Sequence, residues 1–110
     1  MRQYVVDELR PQEVKKIKAY LDTCCDISDI MGLYWLTIPG DILSPVQYEH
    51  QDCQPHCAAI ELGDKWVKIE MLVRSRRKIR CECVNYATTQ QRKFLLSFVD
   101  RLLEETKIRV

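Results

Sequence analysis

Ala58-Ala59-Ile60-Glu61-Leu62-Gly63-Asp64-Lys65-Trp66-Val67-Lys68-Ile69-Glu70-Met71 is the stretch on which the fold turns. Two alternating apolar and polar runs flank Gly63-Asp64, a dipeptide suited to a two-residue hairpin turn. Closing that turn pairs Leu62 with Lys65, Ile60 with Val67 and Ala58 with Ile69. One face is then apolar, while the other sets Glu61 opposite Trp66 and Ala59 opposite Lys68.

The run from Ile79 to Tyr86 keeps the same period and follows the basic connection Arg74-Ser75-Arg76-Arg77-Lys78. A short turn at 74–76 sets Glu70 opposite Arg80, Lys68 opposite Glu82 and Trp66 opposite Val84. The same register puts Ile69 against Cys81 and Val67 against Cys83. Opposite charges on one face and apolar pairs on the other support it. The pattern therefore predicts an antiparallel meander with strands over 57–62, 65–73 and 78–86.

Helices are expected at both ends. Pro11 suits a first helical turn, where its missing N–H is not needed. Val14, Ile17, Leu21 and Cys24 then recur at helical spacing, with Tyr20 widening the stripe and Glu13, Lys15, Lys16, Lys18 and Asp22 facing water over 11–24. Thr88 with Gln91 three residues on is a capping box, and it opens a helix over 89–105 with the stripe Leu95, Phe98, Val99, Leu102 and Leu103. Phe94 and Leu96 widen that helix's apolar surface. Leu33-Tyr34-Trp35-Leu36-Thr37-Ile38 reads as a further strand, closed by Pro39-Gly40-Asp41. Residues 39–56 read as an irregular connection, and a loop that long is more often functional than not.

The predicted fold is α+β. An N-terminal helix, a mostly antiparallel four-stranded sheet with its meander at 57–86, and a C-terminal helix form one domain over 1–110, with both helices on one face of the sheet. A chain of 110 residues buries a single core without disulfide staples. A net charge of +1 gives no global attraction to nucleic acid or anionic lipid, so such binding needs a local patch. No apolar run approaches membrane-spanning length, and the first residues lack the apolar core of a signal peptide, so no membrane association is expected. Six cysteines without a secretion signal favour reduced thiols in the cytoplasm.

Chemistry beyond packing concentrates in His50-Gln51-Asp52-Cys53-Gln54-Pro55-His56-Cys57, with Cys81-Glu82-Cys83 downstream. Structural zinc takes four Cys and His ligands in tetrahedral array, usually as two close-spaced pairs. Candidate ligands are His50, Cys53, His56, Cys57, Cys81 and Cys83. No CxxC pair is present. Strand alternation puts Cys81 and Cys83 together on the apolar face. A strand beginning at His56 would send His56 and Cys57 to opposite faces. Thiol catalysis at Cys53 or Cys57 with His50 or His56 has the residue types but no identifiable oxyanion donors, which argues against an enzyme. Cys24 reads as a small buried hydrophobe, and the vicinal Cys24-Cys25 pair cannot easily close a relaxed disulfide.

The leading functional expectation is a small protein-binding or adaptor domain, possible as a homodimer. Its contact set is Trp66, Leu72, Val84 and Tyr86 on the sheet's wet face. Zinc or thiol chemistry at 50–57 with Cys81 and Cys83 is the alternative. A second alternative is nucleic-acid binding through a basic rim of Arg74, Arg76, Arg77, Lys78 and Arg80, with Trp66 and Tyr86 for stacking. The carboxylates Glu61, Glu70 and Glu82 on the same expected face weigh against that one.

Overall fold

The computed structural model describes residues 2–109; Met1, part of the amino-terminal stretch read above, and Val110 lie outside the described residues. In chain order the elements are β1 (Gln3–Val6), α1 (Pro11–Cys24), β2 (Asp26–Ile27), β3 (Leu33–Thr37), α2 (Pro45–Glu49), β4 (His56–Leu62), β5 (Val67–Glu70), β6 (Leu72–Ser75), β7 (Asn85–Tyr86) and α3 (Thr89–Glu105). Short 3-10 turns occupy Gly40–Ile42 and Gln51–Cys53. The sheet is antiparallel in the order β1-β5-β4-β3-β2, and β6 pairs with both β4 and β7. The α+β class and the helix at each end agree with the sequence. Among the described residues the sheet has seven strands rather than four.

Both long helices form where the periodicity puts them. Ile17 and Leu21 of α1 and Leu95 of α3 are fully buried against Tyr34, Ile60 and Ile69 of the sheet. Burying each such side chain stabilises the fold by about 1.5–3 kcal/mol. Tyr20 and Phe98 close the seam between the helices, with ring centroids 6.2 Å apart. Thr88 caps α3 as expected, its hydroxyl accepting from the Gln91 N–H. Phe94 packs against the core, and Leu96 is exposed.

Three details of α1 differ from the periodic reading. Glu13 is buried rather than solvated, because its carboxylate turns back to accept from the Arg10 N–H at 2.8 Å and the Arg10 guanidinium at 3.3 Å. Cys24 ends the helix exposed, whereas Cys25 packs against the core. The helix stops at Cys24, and the extended backbone at Cys25 redirects its side chain inward.

The central hairpin forms, with its register two residues from the expected one: Leu62 faces Val67 and Ile60 faces Ile69. An even slip keeps every side chain on its predicted face. The connection is four residues, 63–66, closed by the Gly63 N–H donating to the Trp66 carbonyl at 2.8 Å, and the Trp66 indole lies on Gly63. A Cβ at Gly63 would sit 2.3 Å from the indole Cε2.

The expected strand over 65–73 is broken at Met71. Three steps along β4, from Ile60 to Cys57, are matched by five along its partner, from Ile69 to Arg74. Met71 sits in that bulge, its N–H donating to the Arg2 carbonyl and its carbonyl accepting from the Ala87 N–H.

The third meander strand is the main correction. Residues 78–84 carry no strand, and only Asn85 and Tyr86 pair, with Val73 and Leu72. The edge of β5 intended for it is taken by β1, which pairs Val6 with Val67 and Tyr4 with Ile69. Glu70, Lys68 and Trp66 therefore do not face Arg80, Glu82 and Val84. Residues 39–55 are likewise not featureless, since they hold α2 and both 3-10 turns.

Candidate metal centre

Two non-strand segments meet beside the sheet. The first is built by Ser44, whose hydroxyl accepts from the Gln47 N–H while Gln47 Oε1 accepts from the Ser44 N–H. This capping box starts α2, and the 3-10 turn Gln51–Cys53 follows at once, with the Cys53 N–H donating to the His50 carbonyl at 3.0 Å. Side chains three apart eclipse in such a turn, so His50 and Cys53 aim the same way. In the second segment the Val84 N–H donates to the Cys81 carbonyl at 3.0 Å, closing a turn that carries Cys81 and Cys83.

The ligand atoms of His50, Cys53, Cys81 and Cys83 all lie within 4.8 Å of one another. Cys53 Sγ is 3.7 Å from Cys81 Sγ. His50 Nδ1 is 3.1 Å from Cys81 Sγ and 4.0 Å from Cys53 Sγ. A tetrahedral zinc with Zn–S of about 2.3 Å and Zn–N of about 2.0–2.1 Å requires about 3.8 Å between sulfurs and about 3.6 Å between sulfur and nitrogen. The sulfur pair meets that spacing, and His50 straddles it to within about half an ångström. Cys53 and Cys83 are buried, while His50 and Cys81 are partly exposed at the rim.

The surrounding groups orient His50 and favour the ligating form of Cys81. His50 Nε2 lies 3.3 Å from Glu82 Oε1, so the proton on Nε2 has a carboxylate and Nδ1 is left to the cluster. Metal-bound histidines almost always have such a partner. The Cys81 thiol is pulled down to about 7, first by the Cys83 backbone N–H and then by the Cys83, Cys53 and His50 side chains. Burial pushes Cys83 the other way, to about 12. Of this pair Cys81 ionises first, and a bound cation would displace the remaining proton.

A buried amide network holds the second segment in place. Gln47 Nε2 donates to the Cys83 carbonyl at 3.1 Å, and Gln91 Nε2 donates to Gln47 Oε1 at 2.9 Å and to the Ile42 carbonyl at 3.0 Å. Both glutamines are fully buried. They close their own helices' capping boxes and also tie α3, α2 and the Cys83 turn together. Ser75 does the same at the start of the basic loop, donating to the Cys53 carbonyl and accepting from the Arg77 and Lys78 N–H groups. None of these was singled out as a site residue from sequence, although Ser44-x-x-Gln47 is the same capping signal as Thr88-x-x-Gln91.

The other predicted site residues lie elsewhere. β4 begins at His56, so His56 faces the core and Cys57 the opposite side, opposite Arg74; neither joins the cluster. His56 is buried with no hydrogen-bond partner on either ring nitrogen, and burial lowers its pKa. Burial raises the Cys57 thiol to about 11.

Trp66 stays in its loop under Lys68, whose Nζ is 4.2 Å from the ring centroid. Leu72 and Tyr86 face each other across β6 and β7, with the Arg2 guanidinium 4.9 Å over Tyr86, and Val84 precedes them half-buried. The open sheet face carries Leu33, Trp35, Ala59, Glu61, Lys68 and Glu70 instead.

In the basic stretch, Arg74 makes a two-pronged pair with Glu70, Arg76 reaches Asp26 at 2.8 Å, and Lys78 reaches Asp52 at 2.7 Å. Arg77 and Arg80 are exposed. Among the described residues no helix is long and apolar enough to cross a membrane. No family model matches the chain, and no curated protein or solved structure matches it either.

Proposed function

We propose that this chain is a zinc-binding domain in which His50, Cys53, Cys81 and Cys83 hold one structural ion. The observation that carries the proposal is the convergence of four soft-donor atoms within 4.8 Å from two segments lacking strand pairing of their own. One histidine and three thiols form a donor set characteristic of structural zinc, and thiolates select against magnesium and calcium. Four protein ligands leave no open position for an activated water, which separates this site from catalytic zinc. A partner-binding role for Trp66, Leu72, Val84 and Tyr86 has no comparable convergence behind it.

The ion's work would be mechanical. It would staple the 76–84 segment, which has no strand pairing until Asn85, to the turn after α2. Metal analysis of protein purified under reducing conditions without chelator tests this. One zinc per chain is expected, and cobalt substitution should give the visible bands of a tetrahedral thiolate site. A chain that neither retains nor rebinds metal, with all six thiols equally reactive, would refute it.

A further inference from the structure

The open sheet face holds a trough that the metal site does not use. The outward residues of β4 there are small: Ala59 lines the trough, and Cys57 is buried beneath its neighbours. Trp35 stands opposite Ala59 as one wall, and Arg74 opposite Cys57 as the other. Two adjoining cavities share Trp35 and Arg74, and the second continues past Arg76 to Ile79. The Arg76 guanidinium lies 5.9 Å over the Trp35 ring. α1 and α3 both pack on the opposite face.

Charge identifies what fits. Residues 71–81 contain five cations and no carboxylate. Glu70, Asp26 and Asp52 neutralise Arg74, Arg76 and Lys78, while Arg77 and Arg80 have no carboxylate within ion-pair reach among the described residues. Arg74 and Arg76 at the trough are paired, and Glu61 and Glu70 line its first cavity beside Lys68, so the unneutralised rim is that of Arg77 and Arg80 in the loop that borders the second cavity at Arg76 and Ile79. A flat base can enter beside the indole while the chain of phosphates runs along the rim, and such platforms bind largely without regard to sequence. An anionic bilayer would use the rim but not the trough, and Ile79 alone among residues 74–80 offers it apolar surface.

We propose that the Trp35 trough and the 76–80 loop bind single-stranded nucleic acid, with Trp35 stacking on a base and Arg77 and Arg80 contacting phosphates. The experiment is anisotropy of labelled oligouridylate and oligothymidylate of about twelve nucleotides, within the footprint of such platforms, across a salt series with the full chain as purified. Binding should weaken as salt rises. Arg77→Glu with Arg80→Glu should flatten the log–log salt slope by about 1.4, at about 0.7 per lost phosphate contact. Trp35→Leu should weaken binding about 5- to 100-fold at unchanged slope.

The arginine pair is exposed, so its substitution tests the proposal even where Trp35→Leu perturbs folding. Absence of binding to either oligonucleotide at low salt overturns the proposal. So does indifference to the arginine substitutions, or tighter binding to phosphatidylserine vesicles than to both oligonucleotides.

Discussion

Under the proposed zinc assignment, replacing Cys81 by serine should abolish most of the stabilisation that the ion would confer. Cys81 is the hub of the cluster, with its sulfur 3.1 Å from His50 Nδ1 and 3.7 Å from Cys53 Sγ. Structural zinc sites bind with roughly 10–16 kcal/mol, so one ligand of four corresponds to about 2.5–4 kcal/mol, or about 10²–10³ in affinity. At free zinc about 1,000 times the dissociation constant, binding stabilises the native chain by about 4.1 kcal/mol. The variant at the same zinc keeps only about 0.4–1.4 kcal/mol of this. A domain of this size shifts its melting temperature by about 4 °C per kcal/mol, so the zinc-dependent rise should shrink by about 11–15 °C.

The assay is thermal unfolding at fixed free zinc and after chelation, for the wild type, Cys81→Ser and Cys57→Ser. Cys57 lies on the opposite face of β4 from His56 and outside the cluster, so its substitution should leave the zinc-dependent increment intact whatever it does to the baseline. A Cys81→Ser protein with an undiminished increment, or a Cys57→Ser protein without one, would refute the assignment of ligands.

Three further outcomes follow from the same geometry. Glu82→Gln, at a side chain 79% exposed, should fold normally yet lower zinc affinity by about 10-fold, because His50 Nε2 loses its carboxylate partner; competition against a chromophoric chelator reads this. His56 is buried with its pKa depressed below 6.5, so the unfolded chain takes up a proton that the folded one resists. Its contribution is full above about pH 6.5 and is lost as pH falls below it, by at most about 1.4 kcal/mol per pH unit. Urea melts of His56→Leu should lack that increment of acid sensitivity. Gln91→Ala strips partners from the Ile42 carbonyl, Gln47 Oε1 and the Thr88 N–H, and should cost about 2–3 kcal/mol in chemical denaturation; a loss under about 0.5 kcal/mol would contradict the role given to the network.

Local signals were legible where they do not depend on a distant neighbour. α1 begins at Pro11 and α3 is capped by Thr88 and Gln91, because helix starts are set by residues within one turn of themselves. The hairpin kept its faces despite the shifted register, since period-two alternation survives an even slip. Alternation misled at 79–86. Ile79, Cys81 and Cys83 mimic the inward positions of a strand, and counting cysteine as apolar completes the mimicry. What decided otherwise was Gln3-Tyr4-Val5-Val6, distant in sequence, which took the β5 edge.

By itself, the sequence determined the α+β class, the two helices, the hairpin faces and the short list of residues able to hold a metal. Those depend on spacing along one chain. Only the tertiary structure decided which four of the six candidate ligands converge, and that the open face is centred on Trp35 rather than Trp66. The ligand set joins a turn ending at Cys53 to one beginning at Cys81, and its closure depends on β1 displacing the third meander strand and on Gln47 and Gln91 fixing the Cys83 turn. Contacts between segments so far apart are selected by competition for shared edges and buried partners, which no local period records.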